Sequence, residues 1–258
     1  MRISMRLAFA ATVAFAAAIG VAQAQDTLRI GTEGAYPPFN NLTPDGKLEG
    51  FDIDIANALC EEMKVKCEFV TQDWDGIIPA LQAGKFDAII ASMSITAERA
   101  EKVDFTDKYY NTPPAIAAPK DTDIKGVTKE DLAGKTIGVA TSTTHFNYSE
   151  KTYTDSTLKG YPTSQEFLLD LANGRLDAVN DDISVLEGWL ATPDGACCKL
   201  VGAITPVPEI HGAGAGIAVR KGETELVQKF NAAIQAIRAN GKYKAINDKY
   251  FSYDAYGS

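Results

Sequence analysis

The chain has 258 residues, 45% of them hydrophobic, and a formal net charge of −9 at pH 7. This length and apolar content suit a globular protein with one large domain or two medium ones, each able to bury a proper core. The acidic balance argues against a nucleic acid or an anionic membrane surface as the partner, because no basic patch offsets the repulsion.

The N-terminal residues have the pattern of a secretory signal peptide. Arg2 and Arg6 supply a basic start, residues 7–21 are almost unbroken apolar, and Ala22-Gln-Ala24 forms a small-residue cleavage site. The apolar run is short for a membrane-spanning helix. We therefore expect residues 1–24 to be removed on export to the periplasm.

The mature chain begins with a predicted strand over residues 28–32, which runs into a polar loop. A helical pattern of apolar residues then ends near Cys60, and Cys67 opens the next predicted strand. A local bridge between these two cysteines across the helix–strand turn suits an oxidising compartment.

Two further cysteines, Cys197 and Cys198, are adjacent in the sequence. Their Cα atoms must lie about 3.8 Å apart, below the usual range for a bridged pair, so we expect them not to be bridged to each other. A zinc site built from all four cysteines is the alternative. Their spacing matches no zinc pattern, and the two histidines lie elsewhere in the chain, so we predict no metal.

Residues 86–99 indicate an anion-binding site. An apolar run suited to a buried strand is followed by small polar residues at Ser92 and Ser94, and Thr96 is placed to cap a helix. Arg99 falls in the first turn of that helix, where a cation opposes the helix dipole and stability alone does not explain it. A carboxylate or phosphate ligand would explain it. The alternative is a solvated surface arginine.

An internal repeat predicts two lobes of similar plan. The segment Leu81-Gln-Ala-Gly-Lys-Phe-Asp-Ala-Ile89 recurs as Leu171-Ala-Asn-Gly-Arg-Leu-Asp-Ala-Val179, and each copy reads as a helix end, a glycine cap and a buried strand. Each is preceded by an opening strand, at residues 28–32 and 136–140. Chance similarity is the alternative, but the matching order of the flanking segments favours two α/β lobes.

The chain is predicted to cross between the lobes twice. Prolines at 113 and 114 interrupt any strand or helix, and the glycine-rich residues 209–216 mark the second change. That Gly-x-Gly-x-Gly has the wrong spacing for a dinucleotide loop and leads into a strand rather than a helix. We therefore expect lobe 1 to comprise residues 25–112 plus 214–258 and lobe 2 residues 113–213, with a cleft between them.

Several motifs together resemble one family. They are Ile30-Gly-Thr-Glu-Gly-Ala-Tyr-Pro-Pro-Phe39, Gly50-Phe-Asp-Ile-Asp54, Ser92-Met-Ser-Ile-Thr96 with Arg99, and Lys249-Tyr-Phe251. They resemble the periplasmic amino-acid-binding proteins of ABC importers, particularly the lysine/arginine/ornithine, histidine and opine binders. The resemblance implies a type II periplasmic-binding-protein fold, two α/β lobes joined by a two-strand hinge, and a bridge of the Cys60–Cys67 type. It also implies an ABC permease as partner. The sequence leaves the oligomeric state open, and we expect a monomer with no cofactor.

The resemblance also implies residue roles. Arg99 would take the ligand α-carboxylate, helped by backbone N–H groups of Ser94 and Thr144. Asp182 would receive the α-ammonium together with Ser92; the alternative for Asp182 is a helix N-cap. The whole predicted ligand-binding set is Glu33, Tyr36, Trp74, Ala91, Ser92, Met93, Ser94, Arg99, Thr141, Thr143, Thr144, His145 and Asp182.

Within this set, Tyr36 and Trp74 would form the apolar walls and Glu33 would face a cationic side-chain tip. Ala91 stands where many relatives carry Ser, and His145 where cationic amino-acid binders often carry Gln; both bear on which side chain is accepted. The predicted function is capture of arginine, lysine, ornithine, histidine or an opine for an ABC permease. The alternatives are a small-carboxylate dehydratase with Glu33 as the acid, and a binding protein that presents its ligand to a sensory receptor.

Overall fold

The computed structural model describes residues 26–257, so the predicted signal peptide lies outside the described residues. Within 26–257, no helix is both long and apolar enough to cross a membrane. Up to the first crossover the elements are β1 (Thr27–Thr32), β2 (Ala35–Tyr36), β3 (Asn40–Leu42), β4 (Leu48–Glu49), α1 (Phe51–Met63), β5 (Lys66–Thr71), α2 (Ile77–Gln82), β6 (Ala88–Ile89), α3 (Ala97–Ala100) and β7 (Val103–Tyr110).

The second part of the chain contains β8 (Pro114–Pro119), β9 (Thr136–Ala140), α4 (Thr144–Thr152), β10 (Thr157–Tyr161), α5 (Ser164–Ala172), β11 (Ala178–Asp182), α6 (Ile183–Leu190), β12 (Cys198–Ala203) and α7 (Pro208–His211). The last elements are β13 (Ala215–Arg220), α8 (Thr224–Ala239) and α9 (Lys242–Tyr250). Short 3₁₀ helices lie at Trp74–Gly76 and Asp194–Cys197.

Two five-stranded sheets form two α/β lobes, as the repeat predicts. The first sheet has the order β5-β1-β6-β13-β7 and the second the order β10-β9-β11-β8-β12. In each sheet the first three strands are parallel, and the strand that crosses from the other lobe joins them antiparallel. We propose that the lobes exchange chain at 112/113 and at 213/214.

The two copies of the repeat have the same local packing. Gly31 in β1 lies against the ring of Phe86, and Gly138 in β9 lies against Leu176, so that any Cβ at either glycine would collide with that side chain. Phe86 and Leu176 occupy the same place in the repeat. The glycines are therefore required because the helix-to-strand connection passes directly over the opening strand.

The core of the first lobe is rich in aromatic side chains. Phe39, Phe51 and Tyr109 are fully buried, and the Phe39 and Tyr110 rings stack with centroids 4.6 Å apart. Helices α8 and α9 pack into the same hydrophobic cluster, so the C-terminal segment belongs to this lobe. Burial of these large rings stabilises the platform from which the loops at the strand ends project.

All four cysteines are paired. Cys60 is bridged to Cys67 with Cα atoms 5.8 Å apart. Cys197 is bridged to Cys198, so the expectation that these two are not bridged to each other is wrong. The usual Cα range describes bridges between residues distant in sequence, whereas here the backbone turns from a 3₁₀ helix into β12 between the two residues and brings both Sγ atoms to the same side.

Candidate functional site

A cleft between the lobes lies at the carboxyl ends of β1, β6, β9 and β11, where α/β sheets commonly bind ligands. It encloses about 470 Å³ including its open mouth, and its walls come from both lobes. The residues lining it are Glu33, Tyr36, Trp74, Ala91, Ser92, Ser94, Arg99, Ala140, Thr143, Thr144, His145, Pro162, Thr163, Ser164 and Asp181.

Arg99 is the cation of the cleft. Thr96 caps α3 by accepting a hydrogen bond from the Arg99 N–H at 3.2 Å, as the sequence predicts. The guanidinium donates from Nη1 to the carbonyl of Ser94 and from Nη2 to the carbonyl of Ser142, each at 3.1 Å. Neither acceptor carries a charge, and burial lowers the pKa of Arg99 to about 10. A desolvated guanidinium held by neutral carbonyls is ready to bind a carboxylate.

The start of α4 faces Arg99 from the second lobe. Thr143 caps this helix, because its Oγ1 accepts a hydrogen bond from the Phe146 N–H at 3.0 Å. Thr144 is the first helical residue, is almost fully buried and lines the cleft. The first-turn N–H groups of a helix have no acceptor within the helix and carry partial positive charge. This end of the cleft therefore favours an anion from both sides.

The cleft also contains acidic side chains. Glu33 follows β1 and lines the cleft. Burial, reinforced by the carboxylates of Asp181 and Asp73, raises the pKa of Glu33 to about 7. A cation placed beside Glu33 would relieve this repulsion and stabilise the carboxylate form.

Asp181 is a buried carboxylate on the wall of the cleft. Its Oδ1 accepts a hydrogen bond from the Tyr36 Oη at 2.7 Å, and its Oδ2 accepts one from Ser164 Oγ at 2.5 Å. The His145 Nε2 lies 3.5 Å from Oδ1. Burial raises the pKa of Asp181 to about 6, while burial lowers the pKa of His145 to about 4, so the imidazole is neutral at pH 7.

Asp182, by contrast, does not line this cleft. Its Oδ1 accepts a hydrogen bond from the Ser184 N–H at 2.8 Å and so caps α6, and its Oδ2 accepts a short hydrogen bond from Thr112. It faces a neighbouring cavity on the hinge side, which also contains Asn111 and His211. The N-cap alternative describes Asp182 correctly, and the carboxylate that the structure brings to the cleft is Asp181.

Two other residues of the predicted set also lie outside the cleft wall. The Met93 side chain is fully buried in the core of the first lobe, whereas Ser92 and Ser94 on either side of it line the cleft. The Thr141 Oγ1 donates to the carbonyl of Tyr161 at 3.2 Å and ties the loop to β10. The other ten predicted residues line the cleft.

A buried network behind the cleft fixes the loop of Ser92. Asp52 is fully buried at the start of α1, and its carboxylate accepts hydrogen bonds from Ser92 Oγ at 2.9 Å, Tyr109 Oη at 2.7 Å and Asn40 Nδ2 at 2.9 Å. Tyr109 Oη in turn accepts from the Ser92 N–H at 3.0 Å. These contacts hold Ser92 in the left-handed region, at φ 56°, which a serine rarely adopts.

Several cleft residues were missed by sequence reasoning. Besides Asp181, they are Ala140, Pro162, Thr163 and Ser164. A signal for the last three exists in the repeat, because residues 162 and 163 follow β10 and Ser164 begins α5, so they lie at the same sheet edge as the other strand ends. Within residues 26–257, no cluster of three or more His, Cys, Asp or Glu side chains has the arrangement of a metal site.

Two hinged α/β lobes whose cleft is lined by a buried arginine, buried carboxylates and aromatic side chains define a solute-binding protein of the two-lobed class. Residues 28–253 match the family of bacterial extracellular solute-binding proteins, family 3, and the chain belongs to that family.

Similar proteins bear out this assignment. The chain is 51% identical over 238 residues to the L-arginine-binding protein of Pseudomonas aeruginosa, covering 91% of this chain and 92% of that protein. It is 37% identical over 244 residues to the lysine/arginine/ornithine-binding periplasmic protein of Escherichia coli (strain K12), covering 93% and 94% of the two chains. A solved structure of an ancestral arginine-binding protein bound to arginine superposes with a TM-score of 0.81 at 40% identity, covering 89% and 100%.

Proposed function

We propose that this protein captures arginine in the periplasm and, as a monomer, delivers it to an ABC permease. The observation that carries the proposal is the charge arrangement of the cleft. One cation, Arg99, and the two carboxylates of Asp181 and Glu33 line its walls. A free amino acid with a cationic side chain has one negative group and two positive groups, so it complements all three.

Each group of the ligand has an assigned partner in this proposal. The α-carboxylate is bound by Arg99 and the N–H groups at the start of α4, and the α-ammonium by Asp181 with Ser92. The side chain lies between Tyr36 and Trp74, with its guanidinium at Glu33. Glutamate side chains and the flat guanidinium form two parallel hydrogen bonds, which a lysine or ornithine ammonium cannot match.

The choice of arginine rests on two observations. Burial and the neighbouring carboxylates disfavour the charged form of Glu33, and a cationic group of the ligand beside it would stabilise that form. The relative with 51% identity is an arginine-binding protein. The dehydratase alternative is not favoured, because the relatives named above are binding proteins.

Calorimetry tests the proposal directly. Protein unfolded and refolded without ligand would be titrated with the twenty amino acids, ornithine and octopine. We expect saturable one-to-one binding that is tightest for arginine, near or below micromolar, since a small ligand can gain up to about 1.5 kcal/mol per heavy atom. Mass spectrometry of ligand released from protein as purified gives an independent identification. Absence of binding to every amino acid would refute the proposal, and turnover of prephenate or arogenate would support the dehydratase instead.

Arginine binding should release protons near neutral pH. The pKa of Glu33 in the free protein is about 7, and a bound guanidinium lowers it because the cation stabilises the carboxylate. Affinity should therefore rise with pH through this range and level off above about pH 8, with a slope of at most about tenfold per pH unit for each proton released. Asp181, with a pKa of about 6, should add to the slope at lower pH.

Titration at pH 7 in two buffers with different heats of ionisation measures this release. The observed binding heat should differ between the buffers for the wild type. Glu33→Gln should bind arginine more weakly and lose most of the difference at pH 7. Equal heats in both buffers for the wild type would show that Glu33 does not exchange a proton on binding.

A further inference from the structure

The carbonyl of Ser142 is a contact point between the lobes. It belongs to the loop between β9 and α4 in the second lobe and accepts two hydrogen bonds from the first. One comes from the indole Nε1 of Trp74 at 3.1 Å and the other from Nη2 of Arg99 at 3.1 Å. Both donors also line the cleft, so the contact lies at the edge of the ligand site.

The loop that carries this carbonyl is fixed on both sides. Before it, the Thr141 N–H donates to the carbonyl of Tyr161 at 2.9 Å. After it, Thr143 Oγ1 donates to the carbonyl of Ala140 at 2.7 Å while capping α4. Ser142 itself has φ 59°, in the left-handed region that a serine rarely adopts. This conformation directs its carbonyl toward the first lobe.

The donors are fixed equally well. Trp74 begins a 3₁₀ helix that leads into α2, and its ring packs against the hydrophobic cluster of Ile77 and Met93. Arg99 lies over the indole, with its Cζ 5.1 Å from the ring centroid, and its Nη1 is held by the Ser94 carbonyl of its own lobe. Neither donor needs to change its position within the lobe in order to meet the Ser142 carbonyl.

We propose that Trp74 is a latch between the lobes, in which the indole N–H binds the Ser142 carbonyl and slows opening of the closed protein. This proposal rests on the proposed function, since the latch acts on release of the ligand. The ring of Trp74 serves as a wall for the ligand side chain, and its N–H performs a second, separate task. A phenylalanine could form the wall but has no donor, and this makes the two tasks separable.

The latch predicts an effect on the dissociation rate alone. The hydrogen bond forms only when the lobes are closed, whereas the ligand enters while they are open. Loss of one hydrogen bond between neutral groups corresponds to about a two- to tenfold change in an equilibrium constant. That change should appear as faster dissociation of arginine with an unchanged association rate.

The sharpest test removes the N–H and keeps the ring. The chain contains two tryptophans, Trp74 and Trp189, and the second is partly buried and packs against the core of the other lobe, away from the cleft. In a Trp189→Phe background, benzothienylalanine can therefore be incorporated at position 74 alone; it has the shape of tryptophan with sulfur in place of N–H. The Trp189→Phe protein with natural tryptophan is the matched control, and Trp74→Phe is a second variant if the analogue impairs folding.

Two measurements decide the outcome. Stopped-flow kinetics should give arginine dissociation about two- to tenfold faster in the analogue protein than in its control, with association rates equal within about twofold. Energy transfer between dyes on the two lobes should report a smaller closed fraction. Equal dissociation rates would overturn the latch while leaving the binding function intact. If the wild-type protein binds no arginine, the proposed function fails. In that case, equal closed fractions of the analogue protein and its control, both free of ligand, would overturn the latch independently.

Discussion

Arg99→Ala should weaken arginine binding by about thirty- to several thousand-fold, the effect of removing one partner from a buried, hydrogen-bonded ion pair. The guanidinium is bound by two neutral carbonyls, and burial lowers its pKa to about 10, so its charge is poorly compensated within the protein. A ligand carboxylate would supply that compensation. In the variant, the carboxylate would lose its charged partner and keep only backbone donors. Calorimetry at constant pH and salt measures the loss.

Two controls separate binding from folding. Arg99→Ala should unfold at nearly the wild-type temperature, because the substitution removes a desolvated cation whose hydrogen bonds are to neutral groups only. Arg99→Lys retains the charge and loses the fork of two parallel donors, so its affinity should lie between those of the wild type and the alanine variant. Wild-type affinity in Arg99→Ala would show that the carboxylate is bound elsewhere.

The repeated architecture could be predicted because it depends on local signals. Gly84 and Gly174 end helices at positive φ, and Asp87 and Asp177 each accept a hydrogen bond from the N–H of a residue in the opening strand, Arg29 and Thr136 respectively. These features repeat at the same spacing in both copies. A fold in which each lobe is built from the same strand–helix–strand unit therefore leaves a clear trace in the sequence.

Other features depend on contacts between residues that are distant in the sequence, so no local sequence pattern predicts them. The conformation of Ser92 is fixed by Asp52 and Tyr109, which are far from it in sequence. Met93 follows Ser92 directly, yet its side chain is buried in the core, because the direction of each side chain depends on how the loop leaves the sheet. The bridge between Cys197 and Cys198 likewise depends on a turn that general Cα distances do not describe.

The neighbouring aspartates Asp181 and Asp182 show this limit most directly. They are the last two residues of the same buried strand, β11, and a carboxylate at either position could have faced the cleft. Asp182 directly precedes α6, so its side chain turns back to cap that helix. Asp181 is one residue earlier and faces the opposite side, toward Tyr36 and the cleft. A shift of one residue therefore exchanges a structural role for a binding role.

Because Asp181 lines the cleft and Asp182 does not, substitutions at the two positions should differ in their effect on binding. Asp181→Asn should weaken arginine binding by about thirtyfold or more, because the α-ammonium would lose its buried charged partner. The amide has nearly the same shape as the carboxylate; its oxygen can still accept a hydrogen bond from Tyr36, and its NH2 group can donate to the Ser164 hydroxyl. The loss should therefore appear in the affinity measured by calorimetry and much less in the unfolding temperature.

Asp182→Asn is the matched control, since it makes the same chemical change at the next residue. Asparagine is as good an N-cap as aspartate, so α6 should remain capped and arginine affinity should stay within about threefold of the wild type. The reverse outcome, with weak binding in Asp182→Asn and normal binding in Asp181→Asn, would assign the α-ammonium to Asp182. A loss in both variants would mean that the two carboxylates act as one charged group, because the hinge-side cavity that Asp182 faces shares Tyr36, Ser92 and His145 with the cleft.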